Sequence, residues 1–134
     1  LEVAALMSSE IKVLIAIIVL LELGEPPTAE KISRVTDMNI GYVRNLLKKL
    51  ETKGLLKSYT ASGFGFMARQ SSGKVWVLRQ DIKEVLNQYP EIIDWASNVP
   101  EEDLRARSIE ELLEKIRNIK NSKLGEEIRR KIEA

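Results

Sequence analysis

The residues best suited to chemistry lie on one face of a predicted helix over residues 39–53. Spacings of three and four residues place side chains above one another on the same face of a helix. Arginine and asparagine form paired hydrogen bonds with the edges of guanine and adenine, and lysine pairs with phosphate. The pattern therefore indicates contact with a polyanion through this face, which carries Tyr42, Arg44, Asn45, Lys48 and Lys49.

The charges are unevenly distributed along the chain, although the formal net charge is only +1. Residues 31–79 contain ten basic and two acidic residues, a net charge of +8. Residues 1–30 carry a net charge of −4, and residues 80–100 carry −3. A basic middle segment is typical of a polyanion-binding face. It also fits a solvated surface whose charge is balanced by neighbouring acids after folding.

Two residue types that carry much of enzyme chemistry are absent. The sequence has no cysteine and no histidine, which excludes disulfides, thiolate zinc sites, imidazole metal ligands and a serine–histidine dyad. Gly63, Phe64 and Gly65 also lack the spacing of a phosphate-binding loop. We therefore expect no enzyme activity, no metal and no cofactor, and an enzyme based on carboxylates or lysine is the weakest alternative.

The first predicted helix begins at Ser8 or Ser9 and stops at Gly24. It contains an apolar run of nine residues from Val13 to Leu21, whereas a bilayer crossing needs about 20. The run therefore predicts a buried helix and no membrane partner. Because no basic region precedes it, we expect no signal peptide and a cytoplasmic protein.

Two further helices and a hairpin follow. Thr28 is a good N-cap for a helix to about residue 35, and Asn39 for one that Gly54 terminates. Residues 55–60 and 74–79 are extended in character, with a turn at 71–73. The predicted fold class is mainly α with a small β-hairpin, a winged helix-turn-helix with additional C-terminal helices.

The C-terminal part of the chain is predicted to be helical and amphipathic. Asp81 with Glu84, and Ser108 with Glu111, resemble capping boxes. The apolar stripe beyond residue 108 needs a partner surface, so residues 101–134 are expected to form an interaction extension that pairs two copies into a homodimer. Trp76 and Trp95 have apolar neighbours and are expected in the core.

Residues 27–56 resemble the winged helix-turn-helix of MarR-like and related archaeal and bacterial transcription regulators. The ending Leu50-Glu51-Thr52-Lys53-Gly54-Leu55 is typical of those families. The resemblance covers roughly residues 9–88 and implies a DNA-binding domain over residues 8–98. It implies a sequence-specific regulator of transcription that binds double-stranded DNA.

The resemblance also implies roles for individual residues. Helix 39–53 would enter the major groove, and the wing over residues 61–79 would meet the backbone or minor groove. Gly41 leaves room for close approach to a duplex. The expected DNA-binding residues are Thr28, Lys31, Asn39, Gly41, Tyr42, Arg44, Asn45, Lys48, Lys49, Arg69 and Lys74.

Two other functions remain open at this point. One is a winged helix used for protein–protein assembly, in which the basic face is incidental. The other is an architectural or replication protein that binds DNA with little sequence preference. Steep salt dependence of duplex binding would favour either DNA-binding function over the assembly module, since phosphate neutralisation releases counterions.

Overall fold

A computed structural model describes residues 5–60 and 74–133 of the 134-residue chain. The described part is mainly helical, with a small two-stranded antiparallel hairpin. Its helices and strands are α1 (Ser8–Glu22), α2 (Ala29–Thr36), α3 (Ile40–Thr52), β1 (Leu56–Thr60), β2 (Lys74–Leu78), α4 (Ile82–Gln88), α5 (Glu91–Ala96), α6 (Ile109–Arg117) and α7 (Lys123–Glu133).

Helix α1 forms the centre of the core. Every residue from Val13 to Leu20 is buried, because α2, α3, α5 and α6 pack around it. This confirms the prediction of a buried helix. Among the described helices none is long and apolar enough to cross a membrane.

The ends of α1 show how its backbone groups are satisfied. Helix α1 begins at Ser8, as predicted, and the N–H of its N-cap, Met7, donates to the carboxylate of Glu10 at 2.9 Å. Gly24 follows the helix with a φ of +76°, a left-handed conformation that glycine adopts without strain. The predicted stop at this glycine is therefore confirmed.

The hairpin is anchored beside the start of α2. Its register pairs Leu56 with Leu78 and Thr60 with Lys74. The N–H of Trp76 donates to the carbonyl of Pro27 at 2.8 Å. Trp76 itself is buried, as predicted. The turn predicted at residues 71–73 lies outside the described residues.

Helices α4 and α5 cover the core after the hairpin. Asp81 occupies the N-cap position of α4, but its side chain makes no capping hydrogen bond. The predicted capping box with Glu84 is therefore wrong. Trp95 is only partly buried and packs against the edge of the core.

The C-terminal helices fold back onto the same molecule. Helix α6 contacts α1 and α4, and α7 contacts α2. Leu112, Ile116 and Ile128 are buried and belong to the same apolar cluster as α1. The partner surface that their stripe requires is thus supplied by the chain itself, so the stripe gives no argument for a homodimer. Pairing of two copies through these helices stays a prediction.

Close packing between α7 and the 3₁₀ turn Ile119–Asn121 depends on Gly125. A Cβ atom at this position would overlap the carbonyl oxygen of Ile119. At the other end of α7, the guanidinium of Arg34 donates to the carbonyl of Ile132 at 3.1 Å, and Lys131 pairs with Asp37 at 3.0 Å. Helix α7 therefore contacts both α2 and the turn that follows α2.

Candidate nucleic-acid interface

The connection between α2 and α3 fixes the direction of α3. Asp37 follows α2 in the left-handed conformation, with a φ of +59°, and only two residues separate it from α3. Asn39 then caps α3, because its side-chain oxygen accepts from the N–H groups of Gly41 at 2.8 Å and Tyr42 at 3.3 Å. Both predicted N-caps are confirmed, since the Thr28 hydroxyl accepts from the N–H of Lys31 at the start of α2.

The inner face of α3 holds the helix against the core. Four apolar side chains at positions i, i+3, i+4 and i+7 are fully buried on this face: Val43, Leu46, Leu47 and Leu50. The opposite face is exposed and brings together six of the predicted site residues: Gly41, Tyr42, Arg44, Asn45, Lys48 and Lys49.

The exposed face is cationic and largely free of internal partners. Arg44 pairs with Glu30 of α2 at 3.5 Å, with side-chain exposures of 57% and 47%. Such exposed pairs contribute only about 0–1 kcal/mol. Within residues 5–60 and 74–133, the side chains of Asn45, Lys48 and Lys49 make no hydrogen bond or ion pair. The charge of this face is therefore available to an external partner.

Helix α3 is tied to the first turn of α1 by two polar contacts. The hydroxyl of Tyr42 donates to Ser9 Oγ at 3.0 Å. Lys53 donates to both carboxylate oxygens of Glu10, at 2.9 and 2.8 Å, and Glu10 is only 1% exposed. Paired charges tolerate burial that an isolated carboxylate would not. The Glu10–Lys53 pair thus sets the position of the C-terminal end of α3.

Sequence reasoning missed the role of Glu10. Its partner is 43 residues away, and no local pattern relates two positions at that distance. The only sequence signal is an acidic residue in the first turn of a largely apolar helix. Nearby, burial raises the pKa of the Tyr89 hydroxyl, and the charges of Glu91 and Glu10 raise it further.

Thr28 and Lys31 are occupied by contacts within the chain. Thr28 is buried and uses its hydroxyl as the α2 cap. Lys31 pairs with Glu25 at 3.0 Å, with both side chains partly exposed. These two predicted site residues are therefore not part of the exposed α3 face, and their predicted contacts with DNA stay predictions.

The hairpin adds positive charge beyond α3. Lys74 is exposed at the start of β2, with its Nζ atom 6.0 Å from the centre of the Trp76 ring. On β1, Lys57 is exposed and lies 5.4 Å from the centre of the Tyr59 ring. The predicted site residue Arg69 lies outside the described residues.

Comparison with known proteins finds no matching family model, no matching curated protein and no matching solved structure. A functional argument for this chain therefore depends on its own residues and their geometry.

Proposed function

We propose that this protein is a regulator of transcription that binds double-stranded DNA in a sequence-specific manner. The observation that carries the proposal is the outward face of α3. On this face Arg44, Asn45, Lys48 and Lys49 are exposed side by side, and Glu30 is the one acidic group among the described residues that pairs with any of them. The chain thus has a cationic helix face with unsatisfied donors.

The roles of these residues follow from the dimensions of B-DNA. Its major groove is about 12 Å wide and admits an α-helix. In the proposed complex, Arg44 and Asn45 lie early on α3 and reach base edges. Lys48 and Lys49 lie one turn later and contact phosphates, which position the protein without reading sequence.

The start of α3 is suited to close approach. Asn39 and Gly41 form the first turn, and Gly41 has no side chain to separate the backbone from a phosphate. A Cβ at Gly41 would lie 3.1 Å from the capping oxygen of Asn39, so glycine also leaves room for the cap. In the proposed complex the hairpin carrying Lys74 lies along the adjacent backbone, which is the arrangement of a winged helix.

The primary experiment is selection of bound duplexes from a random pool, followed by affinity measurements on the enriched site and a scrambled site. We expect Arg44→Ala and Asn45→Ala to lose about 1–3 kcal/mol of binding to the enriched site and little on the scrambled one. Lys48→Ala should weaken both duplexes alike and reduce the salt slope by about 1.

Lys120→Ala is the matched control, because Lys120 is exposed on the 3₁₀ turn. It should leave both affinities within about a factor of two. Equal losses on the two duplexes for Arg44→Ala and Asn45→Ala would leave a DNA-binding protein of low specificity. Absence of binding in dilute salt would contradict the whole proposal and favour an assembly module.

The proposed homodimer needs a test that leaves the core intact. Because residues after 108 cover the core, truncation there would expose apolar surface as well as remove a contact. Sedimentation of the full chain with and without duplex measures the number of copies directly. A two-fold symmetric selected motif with two copies bound is the expected result, since symmetric sites reflect symmetric dimers.

A further inference from the structure

A groove outside the α3 face runs between α1, α5 and α7. Its volume is about 670 Å³, within the range of about 300–1,000 Å³ that is typical of small-molecule sites. Buried side chains of α1 line it together with Val35 of α2, Trp95 of α5 and Leu124 of α7, which are only partly buried. The groove therefore presents accessible apolar side chains, one of them aromatic.

The rim of this groove is acidic. Five carboxylates and two lysines line it, a net charge of −3 on a chain whose net charge is +1. In the described part of the chain, Asp94, Glu101 and Glu127 have exposed side chains that form no ion pair. The groove thus has unneutralised negative charge above an apolar surface.

We infer that this groove binds an amphipathic organic cation, a molecule with an apolar body and one positive charge. The partly exposed apolar side chains, Val35, Trp95 and Leu124, accept the body, because burial of apolar surface is favourable by about 25 cal/mol per Å². The face of Trp95 and the rim carboxylates attract the charge. The same rim repels organic anions.

The arrangement fits an organic cation better than a metal ion. A divalent metal needs several oxygen ligands within bonding distance of one point. No group of three or more acidic residues among the described ones is arranged to hold a metal. The carboxylates that line the groove instead come from separate elements: Asp94 from α5, Glu101 from the segment after α5 and Glu127 from α7.

The occupied groove would also adjoin the α2–α3 connection. Asp37 and Lys131, which pair at 3.0 Å, line one end of the groove. This pair joins α7 to the residue that ends α2 in the left-handed conformation. Binding in the groove is independent of DNA binding, and its test needs no DNA.

The test is calorimetric titration of the full chain with tetraphenylphosphonium, a cation with a bulky apolar body. Triphenylphosphine oxide, which is neutral and has a similar body, is the matched probe. We expect saturable binding of one tetraphenylphosphonium per chain and at least tenfold weaker binding of the neutral probe. Equal affinity for the two probes, or no saturable binding of the cation, would overturn the inference.

A pair of triple variants locates the binding. Asp94→Asn, Glu101→Gln and Glu127→Gln together remove three charges from the rim. Glu84→Gln, Glu110→Gln and Glu114→Gln remove three exposed charges elsewhere. The rim variant should bind tetraphenylphosphonium about tenfold more weakly, whereas the control variant should stay within about twofold.

Circular dichroism of both variants checks that they are folded, and substitutions at exposed sites seldom change stability much. Equal losses in the two variants would show that net charge alone attracts the cation, which contradicts a site in the groove.

Discussion

Helices α3 and α7 have similar patterns and different surroundings. Each buries one apolar face and exposes a polar face with basic residues. Helix α3 has Arg44, Lys48 and Lys49 with a single acid, Glu51. In α7 four basic residues are interspersed with three acids. The charged face of α3 is thus predominantly of one sign, whereas that of α7 is mixed.

The contacts of the two helices differ in the same sense. Helix α7 uses Lys131 to pair with Asp37 and its last turn to accept from Arg34. The lysines in the middle of α3 have no such contacts within the described residues. Amphipathic spacing therefore shows that a helix is docked, but the sign and pairing of its outer charges distinguish a helix that covers the core from one that presents a surface.

The largest expected effect is on the free energy of unfolding. It concerns the buried faces of α3 and α7, which should contribute similarly to stability. Leu47→Ala in α3 and Ile128→Ala in α7 should each lower the free energy of unfolding by about 2–5 kcal/mol, because each leaves a cavity in the shared core. Urea denaturation measures both, with the exposed Lys49→Ala as control at about 0.5 kcal/mol or less. If Ile128→Ala lowers the free energy of unfolding by less than Lys49→Ala does, α7 does not pack against the core as described.

A smaller effect should separate the outer faces. The double variant Lys48→Glu and Lys49→Glu should weaken duplex binding by roughly a hundredfold at about 0.1 M salt, since two phosphate contacts become repulsive. Arg129→Glu with Arg130→Glu makes the same charge change on α7, where both positions are exposed. This α7 variant should weaken duplex binding by less than about fivefold, because the long-range attraction between its charges and the DNA is screened. Similar losses of duplex affinity in the two variants would contradict a difference between the exposed faces of α3 and α7.

The smallest effect concerns the acid that faces Arg44. Glu30→Gln removes the ion pair at 3.5 Å and leaves Arg44 free for an external acceptor. Because such a pair is worth about 0.2–1 kcal/mol, duplex affinity should rise by roughly 1.4- to 5-fold. Titration of one duplex with the unmodified protein and with Glu30→Gln measures this difference in affinity. A fall in affinity would indicate that Glu30 orients Arg44 for binding rather than competing for it.

Local rules predicted much of the fold. Thr28, Asn39 and Ser108 were expected as N-caps, and each side-chain oxygen accepts a backbone N–H. Gly54 was expected to end α3, and it has a φ of +82°. These predictions succeed because caps and helix stops depend on residues within one or two turns.

Contacts between distant residues could not be predicted in the same way. The Glu10–Lys53 pair and the docking of α7 on α2 depend on which faces meet after folding. Asp81 has the residue type and spacing of a capping box, yet its side chain makes no cap. For the candidate site, the sequence indicated which residues share the α3 face, but not that Lys31 pairs with Glu25.

The double attachment of α3 to the first turn of α1 has a mechanical consequence. Tyr42 and Lys53 bind neighbouring residues, Ser9 and Glu10, from opposite ends of α3. Rotation of α3 about its axis would have to break both contacts at once. Helices α1 and α3 should therefore move together as one rigid body. In the proposed complex, a difference in shape between α3 and the major groove would then be accommodated by bending of the duplex rather than by movement of α3.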